Sequence, residues 1–247
     1  METLDNKLAL VTGSSGVLGA AIVRSLIGRG CRVLMADIVS EPLDALAGEL
    51  GDKAIPLMLD VSDDLAVAKT AKEIRDAWGD VDILVNNAGI LSNNKAVETS
   101  PEEWRRLMSI NLDGAFFLSR EWLAGMKAKG WGRIVNICSL AAKTGGLTAG
   151  TAYTTSKGGM TALTFSLARE AAGFGVTANG VSPAYIKTPM VTEQLSEEQR
   201  QKLLNDIPVG RFCDGEEVAH VVDFLVSPLS GFITGEIIDI NGGLHLD

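Results

Sequence analysis

Short apolar runs alternate with helix-period segments along nearly the whole chain, and this alternation restricts the fold more than any other feature. The first run, Lys7–Thr12, carries an unbroken Leu-Ala-Leu-Val core. A strand without polar alternates is buried on both faces, which calls for a parallel sheet with helices above and below. Further strands are expected at Arg32–Ala36, Ala54–Leu59, Ile83–Val85, Arg133–Ile137, Val176–Val181 and Ile237–Ile240. Helices are expected over about Val17–Arg29, Asp63–Trp78, Pro101–Lys127, Gly150–Gly173 and Asp214–Val226, with Ser100 capping the one that Pro101 opens. The expected fold class is α/β, a three-layer α/β/α sandwich on a seven-stranded parallel sheet. The interval Thr188–Val209 breaks the rhythm with Thr-Pro-Met, a polar run and a second proline, and is expected to form a helical lid. No linker or repeat divides the 247 residues, so one domain is expected.

A net charge of −9 argues against a nucleic-acid or anionic-membrane partner. No apolar run approaches the ~18 residues of a membrane span. Met1–Lys7 lacks a basic segment leading into an apolar one, so no secretory leader is expected and a cytoplasmic location is. Cys31, Cys138 and Cys213 are odd in number and widely spaced, forming neither a disulfide framework nor a zinc pattern. The two histidines, His220 and His245, lie too far apart in sequence to suggest a metal site.

Between the first strand and first helix stands Thr12-Gly13-Ser14-Ser15-Gly16-Val17-Leu18-Gly19. A glycine-rich turn in that context lets backbone N–H groups and a helix N-terminus approach a pyrophosphate, making Gly13, Ser15, Gly16, Val17, Leu18 and Gly19 candidate cofactor contacts. Asp37 ends the second strand, followed by Ile38. A carboxylate there accepts from adenosine ribose hydroxyls and repels a 2′-phosphate, and no Arg or Lys occurs among Ser14, Ser15, Ile38, Val39 and Ser40. NAD is therefore expected over NADP. Asp60, before Val61, is placed either to hydrogen-bond adenine or to cap the next helix.

Tyr153 and Lys157 stand four residues apart within a predicted helix and so share a face. A free phenol titrates near pH ~10. A neighbouring ammonium favours the phenolate and is expected to lower that value, fitting the pair to exchange a proton with an alcohol or carbonyl oxygen. Alone, such a pair is a weak signal.

With Thr12-Gly13…Gly19, Asp60, Asn86-Asn87-Ala88-Gly89, Asn111, Ser139, Tyr153/Lys157, Ser182-Pro183 and Asn241-Gly242-Gly243 in order, the chain resembles the short-chain dehydrogenases/reductases from Lys7 to Gly243. The resemblance implies a Rossmann-like fold and an NAD(H)-dependent oxidoreductase interconverting a secondary alcohol and a ketone. It implies Tyr153 as general acid/base, Lys157 on the nicotinamide ribose, Ser139 on the substrate oxygen and Asn111 in a proton relay. It also implies cofactor contacts from Asn87, Ala88, Gly89, Pro183, Ile186 and Thr188. Two positions depart from the pattern: Val17 replaces a usual glycine, and Pro183-Ala184 replaces Pro-Gly.

Within the family, a 3-oxoacyl reductase acting on a carrier protein or coenzyme A is the main rival. It would favour a basic docking surface and usually NADPH, whereas Phe174 stands where such enzymes often carry a basic residue. Enoyl reductases use a wider Tyr-to-Lys spacing, and extended sugar epimerases need a larger substrate domain. A non-catalytic nucleotide-binding protein would be expected to lose part of the catalytic set. The substrate pocket is expected to be walled by Leu91–Lys95, Leu140–Leu147 and Ala184–Leu195, with Met190, Val191 and Leu195 apolar and Asn93, Asn94 and Thr144 polar. The resemblance further implies a homotetramer, one interface using the small-residue face Gly158, Gly159, Ala162, Ala168, Ala171 and Ala172.

Overall fold

The computed structural model describes residues 4–188 and 196–246. Seven parallel strands, β1 (Leu8–Thr12), β2 (Arg32–Asp37), β3 (Ala54–Met58), β4 (Ile83–Asn86), β5 (Gly132–Ile137), β6 (Val176–Pro183) and β7 (Ile237–Ile240), lie in the order β3-β2-β1-β4-β5-β6-β7. Each expected strand is present, with ends moved by a residue or two.

Side chains of a strand alternate between faces, and here both sets are apolar. From β1, Ala9 and Val11 point into a core shared with α1 (Val17–Gly28), α2 (Ser40–Leu50) and α9 (Gly215–Val226). Leu8 and Leu10 point to the other core, built with α3 (Asp64–Trp78), α5 (Gly114–Lys129) and α7 (Thr151–Ala171). Trp122 of α5 is wholly buried there. The three layers follow directly from those unbroken apolar runs.

The long helix expected over Pro101–Lys127 is divided. α4 (Pro101–Met108) gives way to a π turn at Ser109–Asp113 before α5 begins. Ser100 caps α4 by accepting from the Glu103 N–H at 3.1 Å. The other described α-helices are α6 (Ala141–Thr144) and α8 (Glu197–Asp206). α8 falls within the interval expected to be a lid, while 189–195, including Met190, Val191 and Leu195, lie outside the described residues. No described helix is long and apolar enough to cross a membrane.

The small-residue face needs correction. Ala168 and Ala171 of α7 are buried in the second core, and a Cβ at Gly159 would lie 2.7 Å from Leu112 Cδ2, so these three face inward. The outward side of α7 carries Gly158, Ala162 and the half-exposed ring of Phe165.

Candidate active site

Sequence order reverses between β1 and β4: the chain runs outward to β3, then returns to place β4 beside β1. Open α/β sheets bind ligands beyond the carboxyl ends of strands at such a point. Here lies a cleft of ≈ 580 Å³ lined by Gly13, Ser15, Gly16, Val17, Leu18, Gly19, Asp37, Ile38, Asp60, Val61, Asn87, Ala88, Gly89 and Thr188. All were singled out in the sequence. Pro183 and Ile186 do not line it. The Pro183 carbonyl accepts from Leu140 N–H at 3.1 Å, and Ile186 forms a parallel bridge with Cys213.

Both sides of the cleft are stitched together. The Thr12 hydroxyl accepts from the Asn87 and Ala88 N–H groups at 3.0 and 2.9 Å, and Asn87 Nδ2 donates to the Thr12 and Gly13 carbonyls. Gly13 has φ +64, and a Cβ there would meet Ala88 Cα at 3.0 Å. At Gly19 a Cβ would overlap the Gly13 carbonyl, so the helix start packs backbone to backbone against the turn. Gly16 is an ordinary extended N-cap with φ −75. Val17 is the first residue of α1 and half-exposed, so the departure from glycine is absorbed without distortion.

The Asp37 carboxylate closes the outer end. One oxygen accepts from Ser15 N–H at 2.9 Å and Ser15 Oγ at 2.6 Å; the other accepts from Ile38 N–H at 2.7 Å. Asp60 Oδ1 accepts from Ser62 N–H and Oγ, while the cap of α3 falls to Asp63, which accepts from Leu65 and Ala66 N–H. The helix-capping role considered for Asp60 thus belongs to its neighbour. Arg106 of α4, not anticipated from sequence, is the one basic side chain lining the cleft among the described residues.

Next to this cleft lies a smaller cavity of ≈ 130 Å³ with Ser139 and Tyr153 on its wall. Leu91, Leu140, Thr144, Leu147, Ala184 and Tyr185 line it, all within the expected wall segments; Thr148, Ala149 and Leu244 lie outside them. The Tyr185 and Thr148 hydroxyls stand 3.2 Å apart. Asn94 is turned away, its Nδ2 donating to Glu103 Oε2 at 2.9 Å.

Burial pushes the Tyr153 phenol above its ordinary pKa, and a hydrogen bond with the Ser139 hydroxyl opposes that rise. Lysine was expected to lower it instead. Lys157 Nζ lies 5.9 Å from the phenol ring centroid and donates to the Ile137 carbonyl at 2.7 Å. It is itself buried, and desolvation holds its pKa at about 8. Ser139, at the end of β5, is therefore the group that acts on the phenol here.

Asn111 sits in the π turn, wholly buried. Its Oδ1 accepts from Ile90 N–H at 2.8 Å, and its Nδ2 donates to the Ile90 carbonyl and to Ser156 Oγ. Ser156 Oγ in turn donates to the Tyr153 carbonyl at 2.7 Å. A Cβ on Gly89 would lie 3.3 Å from Asn111 Oδ1 and 3.6 Å from Lys157 Nζ, so glycine keeps this corner open. No group of metal-ligating side chains occurs among the described residues.

A family profile described as Enoyl-(Acyl carrier protein) reductase matches residues 13–245. Three similar proteins are 3-oxoacyl-[acyl-carrier-protein] reductases. That of Haemophilus influenzae is 39% identical over 243 residues, covering 98% of this chain and 100% of the relative. That of Vibrio cholerae is 41% identical over 244 residues, covering 98% and 99%. That of Aquifex aeolicus is 40% identical over 245 residues, covering 98% of each.

Proposed function

Because the chain is an oxidoreductase belonging to the short-chain dehydrogenase/reductase family, we propose that it interconverts a secondary alcohol and a ketone with NAD(H), Tyr153 serving as proton carrier. The observation that carries this reading is the position of the Tyr153 phenol and Ser139 hydroxyl on a small cavity beside the dinucleotide-sized cleft. The cleft suits a dinucleotide, because it is ≈ 580 Å³ and is lined by the glycine-rich turn and the start of α1, where backbone N–H groups can meet a pyrophosphate. When bound, the nicotinamide supplies the hydride acceptor or donor.

The residues then divide the remaining work. Ser139 orients the substrate oxygen and hydrogen-bonds Tyr153. A phenol held above its ordinary pKa is protonated near neutrality, ready to donate to a ketone oxygen during reduction. Lys157 stands behind it, and Asn111 links the π turn through Ser156 to the first turn of α7 as part of a proton path. Asp37 favours NAD: it supplies negative charge where a 2′-phosphate would lie. In this reading the protein works without a nucleic-acid or membrane partner, as a homotetramer in the cytoplasm.

A second reading, reduction of a 3-oxoacyl thioester, is favoured by the full-length similarity to the reductases above. Against a carrier-protein partner, the half-exposed Phe174 lies 5.2 Å from Lys127 Nζ, and that ammonium is paired with Glu170 at 2.6 Å. Following reduced-nicotinamide absorbance with NADH or NADPH separates the readings. The substrates are simple ketones, acetoacetyl-coenzyme A and a carrier-bound 3-oxoacyl thioester. Turnover of none of them, or a clear preference for NADPH, would remove the corresponding part of the proposal.

A further inference from the structure

Two loops beside the substrate cavity are tied together by contacts that the proposed chemistry leaves unused. One, 91–95, follows β4; the other, 145–150, leads into α7 close to Tyr153. A helix start leaves its first amides without intrahelical partners, and Gly150 offers no side-chain cap. The opposite loop takes that place: Gly150 N–H donates to the Ser92 carbonyl at 2.7 Å and Thr151 N–H to the Asn94 carbonyl at 3.1 Å. Glu103 of α4 anchors that loop, its carboxylate accepting from Ser92 Oγ and Asn94 Nδ2.

Lys95 completes the connection. Its ammonium donates to the Gly146 carbonyl at 3.0 Å and the Ala149 carbonyl at 2.7 Å. These carbonyls bracket Leu147 and Thr148, which line the cavity faced by Tyr153. Gly145 and Gly146 have φ +74 and +80, a backbone with wide freedom unless something holds it. A Cβ on Gly146 would lie 2.6 Å from the Ala149 carbonyl and overlap Thr154 Oγ1, so the loop rests directly on the first turn of α7.

We propose that Lys95 is a positioning residue: by tethering the Gly146 and Ala149 carbonyls it fixes both the substrate-cavity wall and the first turn of α7, and through that turn the placement of Tyr153. Charge-assisted hydrogen bonds are stronger than neutral ones, and the three rotatable donors of an ammonium suit two diverging carbonyls. The inference rests on the reading of Tyr153 as proton carrier. Misplacing a reacting group by about 1 Å costs on the order of a hundredfold in rate, so a partial loosening of this loop should be visible.

Lys95→Met keeps the aliphatic stem and removes the donors, whereas Lys95→Arg retains donors for both carbonyls. In the full-length protein, Lys95→Met is expected to speed amide hydrogen exchange over 145–153 by about tenfold, with 160–171 unchanged. It should lower kcat for acetoacetyl-coenzyme A with NADH by about tenfold while the NADH Kd moves by less than about twofold. Lys95→Arg should restore both. Unaltered exchange over 145–153 in Lys95→Met would overturn the proposal. So would faster exchange throughout α7 with a matching loss of NADH binding, or failure of Arg to rescue. If the wild-type protein does not reduce acetoacetyl-coenzyme A, the thioester reading fails, and the exchange comparison between the two variants decides the tether by itself.

Discussion

Replacing Lys157 by methionine isolates what it costs to bury that ammonium. The group is buried, donates to the Ile137 carbonyl at 2.7 Å, and has its pKa pulled by desolvation from 10.5 to about 8. Between those two values the unfolded chain holds a proton that the folded chain has released. Stability therefore rises with pH through this window, and below about pH 8 the whole penalty is present. The displacement corresponds to roughly 3 kcal/mol. Methionine has similar volume and no charge, so Lys157→Met lacks this dependence. Comparing wild type with variant cancels the titrating groups common to both. Between pH 7 and pH 9.5 the wild type should gain about 2 kcal/mol on the variant. Urea unfolding at matched protomer concentration measures this. The Ile137 carbonyl, left without its donor, costs ~1–3 kcal/mol at every pH, which moves the offset between the curves and not their divergence. A wild type that gains nothing on the variant between pH 7 and pH 9.5, or loses ground to it, would refute the view that the ammonium is held against its preference.

Tyr153→Phe should keep the fold and NAD binding while lowering kcat by roughly 10²–10⁴-fold, measured by reduced-nicotinamide absorbance. Asp37→Ser combined with Ile38→Arg should move the kcat/KM ratio toward NADP by removing repulsion and adding a phosphate partner; a native preference for NADPH would contradict this. The turn glycines should differ: Gly19→Ala meets the Gly13 backbone and should cost roughly 1–3 kcal/mol and weaken NAD binding. Gly16→Ala, whose Cβ would lie 3.5 Å from the Gly13 carbonyl, should stay within about 0.5 kcal/mol, both read by denaturant unfolding. Light scattering at micromolar concentration should give a tetrameric mass, and a monomeric mass would remove the proposed assembly.

The sheet and the cofactor cleft were legible because strand burial and the turn glycines act through local, short-range rules. α2 was not. Only Leu43 and Leu46 of that helix are buried, so its apolar stripe is thin, and Pro42 sits in its first turn, where a missing N–H costs little. The π turn escaped because its cause is tertiary: Asn111 satisfies the Ile90 backbone across a gap of 21 residues. For the same reason the sequence could not place Thr148 or Leu244 on the cavity, nor show Lys95 reaching Ala149. Helical spacing brought Tyr153 and Lys157 to one face, but the proton affinity of the phenol depends on burial and Ser139, which spacing does not report.

The π turn also makes the site depend on residue count as well as residue identity. An α-helix advances about 100° per residue, and a π turn accommodates one residue more than the regular ladder would. Deleting one residue other than Asn111 from Ser109–Asp113 would let the hydrogen-bond ladder close, with α4 and α5 still able to form one continuous helix. The Asn111 side chain would then swing by about 100°, away from Ile90 and Ser156. Such a chain would keep every catalytic residue type and most of its core, yet lose the connection between that asparagine and the helix bearing Tyr153. Length within this segment is thus under a constraint as strict as any substitution at the site itself.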